Sequence, residues 1–94
     1  MTDSVINAAP DVHGDMFYAT RDLYEAAVLH VTEHAVINLR RGSDGICYFI
    51  FDNKEECEHI VNDYRNKLLK VNAKLFIESL KTMKDFIFGA ERRG

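Results

Sequence analysis

Six apolar residues stand in an unbroken row from Ile46 to Phe51 (ICYFIF) in a chain of 94. A run this short, between turn-forming residues, reads as a strand and falls well below the roughly 20 apolar residues needed to cross a bilayer. Side chains alternate across a strand. Ile46, Tyr48 and Ile50 therefore share one face, and Cys47, Phe49 and Phe51 the other. A strand apolar on both faces needs cover on both. Its neighbours must supply a layer of helices on one side, and a further helix or a second copy of the chain on the other.

The flanking sequence supplies a partner strand. Residues 35–41 (AVINLRR) alternate, with Ala35, Ile37 and Leu39 on one expected face and Val36, Asn38 and Arg40 on the other. Between the two runs lies RGSDG, residues 41–45. Its glycines can adopt positive φ without a steric penalty, which predicts a hairpin. A shorter extended segment is expected at 16–19, so the sheet has two strands or three.

Three helices complete the pattern. Thr20 is expected to cap a helix over about 21–32, with a buried stripe of Leu23, Ala27 and Val31 flanked by Tyr24 and Val28. Asp52 and Asn53 each have a glutamate three places on, Glu55 and Glu56, which is the capping-box pattern for a helix over 54–65. Asn66 is the expected left-handed C-cap. Asn72 is expected to open a third helix over 73–88, stopped by Gly89. Its apolar positions are Ala73, Phe76, Leu80, Met83 and Ile87, widened by Leu75, Ile77 and Phe86, opposite a charged face of Lys74, Glu78, Lys81 and Asp85. The expectation is a single α+β domain over 16–89 in the order α-β-β-α-α, with a flexible lead-in at 1–15 and a frayed tail at 90–94. An apolar fraction of 47% gives so small a domain a rich core.

The string FYATRDLYEAAVL, a strand ending CYFIFDNKEE, and YRNKLLKVNAKLFIESLKTMKDFIF together resemble a family of short uncharacterised proteins of bacteria, archaea and their mobile elements. The resemblance covers about residues 17–88 and rests on caps, a hairpin and apolar stripes. It implies a cytosolic protein, often associated with phages or plasmids. It carries over no catalytic or binding residue, because the family is a domain of unknown function.

No motif for catalysis, a metal or a cofactor emerges. His30 and His34 have helical i,i+4 spacing, but the helix is expected to end between them. Cys57 and His59 point to nearly opposite sides of a helix. Cys47 and Cys57 fall on core faces, where thiols are inert, and are expected to be reduced. RGSDG lacks the glycines and the following helix of a phosphate loop. The N-terminus has no basic leader or long apolar core, so a cytoplasmic, non-membrane protein is expected, and the absence of a catalytic constellation makes the expectation a non-enzymatic one.

Charge is divided along the chain. Residues 1–64 carry 4 basic and 12 acidic groups, and residues 65–94 carry 8 basic and 3 acidic. The leading expectation is an interaction module that binds another protein and forms a homodimer through Phe76, Leu80, Met83, Ile87 and Phe88. The alternative is nucleic-acid binding by a stripe of Arg40, Arg41, Arg65, Lys67, Lys70 and Lys74.

Overall fold

The structure is a computed structural model, and it describes residues 16–93. The elements are β1 (Phe17–Thr20), α1 (Leu23–Val31), β2 (Val36–Arg41), β3 (Cys47–Asp52), α2 (Lys54–Arg65) and α3 (Ala73–Arg93). The class is α+β, and the short first segment is a true strand. The segments expected to form the lead-in and the last tail residue lie outside the described residues.

The sheet is antiparallel in the order β1-β3-β2, which puts the apolar hexamer in the central strand. Phe49 and Phe51 face the helices. Thr20 and Leu39 flank Phe49 in register, and Tyr18 and Val36 flank Phe51. Phe49 and Phe51 join Ala26, Ala27, Leu29, Cys57, Val61 and Met83 in one core. All three helices therefore pack on this single face. On the opposite face Tyr48 and Ile50 are also buried, at 6% and 3% exposure. Ile50 lies between Ala19 and Asn38 in register, and the Tyr48 hydroxyl donates to Asp44.

Strand β2 departs from simple alternation. A bulge between Val36 and Asn38 leaves Ile37 as the extra residue. Val36 and Leu39 therefore pack on the core, while Ile37 is half exposed. Period-two reading of 35–41 placed Ala35 and Ile37 with Leu39, and the bulge corrects that placement. At the hairpin Gly45 has φ +80, as expected of a turn glycine.

Helix α1 is capped by Asp22 and not by Thr20. Asp22 accepts from the amides of Tyr24 and Glu25, whereas the Thr20 hydroxyl accepts from Asp22 N. The helix buries a continuous run from Glu25 to Leu29, and Tyr24 is exposed. An amphipathic stripe underestimates this burial because α1 packs against both other helices as well as β1.

Asn53 caps α2. Its side chain accepts from Glu56 N and donates from Nδ2 to the Glu56 carboxylate. The left-handed residue after α2 is Lys67, with φ 64, and not Asn66, with φ −92.

Helix α3 runs through Gly89 to Arg93, past the expected stop. Glycine in a helix interior costs about 1 kcal/mol relative to alanine but does not terminate the helix when its neighbours continue the pattern. A Cβ at Gly89 meets nothing within 4 Å. Gly89→Ala is therefore expected to stabilise the domain by roughly 0.5–1 kcal/mol in chemical denaturation.

Candidate functional site

The most concentrated polar chemistry is buried where β1, α1 and α2 meet. Glu25 is 5% exposed on an otherwise apolar stretch of α1. An ionised carboxylate in that position requires partners for both oxygens. Oε1 accepts from the Tyr18 hydroxyl at 3.0 Å and the Thr20 hydroxyl at 3.1 Å. Oε2 accepts from Arg65 Nε at 3.0 Å and from Arg65 Nη2. Burial first, and then the Glu25 charge, push the Tyr18 phenol well above the ordinary tyrosine range. The hydrogen bond and charge of Glu25 hold the Arg65 guanidinium more firmly protonated.

With four donors, this carboxylate has no lone pair directed at a ligand. Its arrangement suits a clamp that fixes the C-terminal end of α2 to the start of α1 and to β1. Beside it runs an open groove of about 850 Å³, lined by Tyr18, by the acidic residues Glu55, Glu56 and Glu58, and by His59 and Arg65.

A second polar chain joins the end of α1 and the loop after it to α2. His34 Nε2 lies 3.1 Å from a Glu56 carboxylate oxygen, and its Nδ1 lies 3.3 Å from Thr32 Oγ1. A hydroxyl, an imidazole and a carboxylate in sequence resemble a nucleophilic triad. Here the Thr32 hydroxyl donates to the carbonyls of Val28 and Leu29, so its proton closes the end of α1. The first of the paired histidines, His30, contacts Ser79 Oγ of α3 at 2.7 Å. His30 and His34 are thus directed at different elements. Among the described residues no group of three or more His, Cys, Asp or Glu is placed to hold a metal ion.

Both cysteines are free thiols. Cys57 is fully buried and its Sγ donates to the carbonyl of Asp52. Burial and the neighbouring carboxylates, Glu56 foremost, push its thiol up to about 11. Near pH 8 the folded protein is expected to react with a thiol reagent at the partly exposed Cys47 and not at Cys57, as peptide mapping after alkylation will read.

The residues expected to mediate self-association divide sharply. Met83 is 0% exposed, and Phe76, Leu80 and Ile87 pack on the same core. Phe88 is exposed at 58%. The basic residues also separate. Arg65 is bound to Glu25 next to β1, whereas Arg40 and Arg41 lie on β2 at the opposite edge of the sheet. Lys67, Lys70 and Lys74 remain together in and after the α2–α3 connection, all exposed. Sequence reading missed Glu25. Its one signal is a lone acid within LYEAAVLHV, a helix otherwise free of charge except at a histidine.

These features define a small α+β domain with a buried charge clamp and an acidic external groove. Residues 15–89 match the family described as Domain of unknown function (DUF5659), and the chain belongs to that family. No curated protein and no solved structure matches the chain. No helix among the described residues is long and apolar enough to cross a membrane.

Proposed function

We propose that this domain is a non-enzymatic interaction module that self-associates and acts by binding another protein, as an accessory or regulatory protein of a bacterial or archaeal mobile element working in the cytoplasm. The observation that carries this reading is the apolar surface left outside the core after α3 has packed. Leu68 and Leu75 are exposed at 69% and 52%, with Val71 beside them in sequence. Ile77, Phe86 and Phe88 are exposed farther along α3. Apolar residues grouped along one connection and one helix mark contact surfaces more strongly than the same residues scattered.

We infer different roles for these groups from their positions. Leu68, Val71 and Leu75 lie next to the end of α2 and serve contact between copies. Phe88, the more exposed of the two phenylalanines in the C-terminal half of α3, faces a different protein. Light scattering on a sizing column tests the first role. Twice the chain mass is expected for the wild type, and the single-chain mass for Leu68→Ser combined with Leu75→Ser. A wild-type protein at single-chain mass, however concentrated, refutes self-association.

A second reading keeps nucleic acid as the ligand of Lys67, Lys70 and Lys74, because these cations form no ion pair among the described residues. No aromatic side chain lies between them, so bases find no stacking platform there. Fluorescence anisotropy with labelled DNA and RNA at low salt separates the readings. Saturable binding lost on replacing these lysines favours nucleic acid.

A further inference from the structure

We infer that two copies of this chain associate through antiparallel α2 helices, the basic connection after one α2 lying against the acidic groove beside the other. This rests on the self-association reading and names the surfaces that carry it. From residue 64 to residue 77 the chain has four cations, Arg65, Lys67, Lys70 and Lys74, and no acid. Arg65 is occupied by Glu25, but the three lysines have no ionic partner among the described residues. Leu68 protrudes between them. The opposite end of α2 carries Glu55, Glu56 and Glu58, all exposed on the groove. Glu56 is paired with His34, but Glu55 has no ion pair among the described residues and Glu58 has only the long 3.9 Å contact with Lys54.

The two charge clusters are therefore at opposite ends of one helix of 12 residues, about 18 Å long. Within one molecule they cannot meet. A two-fold axis across the middle of α2 brings each acidic end beside the partner's basic connection, and does so twice. The same arrangement sets the two helix dipoles antiparallel. The groove wall offers the part-buried Tyr18 ring to Leu68 of the other copy. A contact of this kind is polar at its rim and weakens as salt screens it.

The test is a charge-exchange experiment on the full chain. One variant carries Lys67→Glu and Lys70→Glu, the other Glu55→Lys and Glu58→Lys. All four positions are exposed, and circular dichroism verifies that each variant is folded. Each variant alone is expected at the single-chain mass, a twofold drop from the wild type, and an equimolar mixture is expected to regain the doubled mass. A wild-type dimer whose mass neither exchange alters overturns this pairing and leaves self-association on another face. A wild type at single-chain mass throughout overturns both. A single-chain wild type that binds labelled DNA or RNA through Lys67 and Lys70 overturns both as well, and gives those lysines to nucleic acid.

Discussion

Glu25→Ala is expected to destabilise the domain by roughly 2–4 kcal/mol, a large share of the margin of a domain this small. Removing the carboxylate leaves the Tyr18 and Thr20 hydroxyls without their acceptor in a buried site, and it detaches Arg65 from α1. The asymmetry of the pair is the sharper part of the expectation. The Glu25 side chain is 7% exposed and that of Arg65 is 61% exposed. A guanidinium that loses its partner turns to water. A carboxylate that loses the arginine keeps the Tyr18 and Thr20 donors, and water enters where the exposed guanidinium stood. Much of the charge attraction is screened on the arginine side, so the interaction is worth less than a fully buried pair. Arg65→Met is expected to cost about 1 kcal/mol, because its stem still covers the site while water replaces its head. Urea denaturation of the two variants checks the order. An Arg65 variant more damaging than the Glu25 variant contradicts this description of the clamp.

The second large effect falls on the central strand. Phe51 is 0% exposed and lies between Tyr18 and Val36 in register. Phe51→Ala is expected to cost about 3–5 kcal/mol, the sum of lost transfer energy and an incompletely collapsed cavity. By contrast, Phe88→Ala removes a ring already 58% exposed and is expected to change stability by less than about 0.5 kcal/mol. Thermal melts of the pair separate core from surface on two phenylalanines that composition cannot tell apart.

The alkaline limit of stability follows from Cys57, whose raised thiol titrates at the lower pH of the two, and from Tyr18. Its folded value is raised above the unfolded one, so the stabilisation it reflects is fully present below the ordinary tyrosine range. That stabilisation is lost as pH rises from there toward the raised folded value. Tyr18 contributes nothing to acid sensitivity.

Local signals explain what the sequence reveals of this fold. Helix α2 spans 54–65 as the capping pattern requires, because Asn53 and Glu56 are only three positions apart and their contact does not depend on the rest of the chain. The hairpin follows from its glycines in the same way. The bulge at Ile37 and the cap at Asp22 do not, since each competes with an equally regular neighbour. Distance explains the rest. Glu25 and Arg65 are 40 positions apart, and nothing near either one marks the other. In the sequence alone Arg65 belongs to the cationic stripe, and only the fold brings Glu25 beside it. The apolar face of α3 was visible by its period, but which of its residues remain outside depends on how α1 meets it. Phe76, Leu80, Met83 and Ile87 turn inward, and Leu75, Ile77, Phe86 and Phe88 do not.

The measurement that tests self-association most directly is sedimentation equilibrium of the wild-type chain at low salt over a dilution series. The expected result is twice the chain mass at the concentrated end, falling toward the single-chain mass on dilution and falling sooner when salt is raised. A single-chain mass at the highest concentration and lowest salt contradicts it.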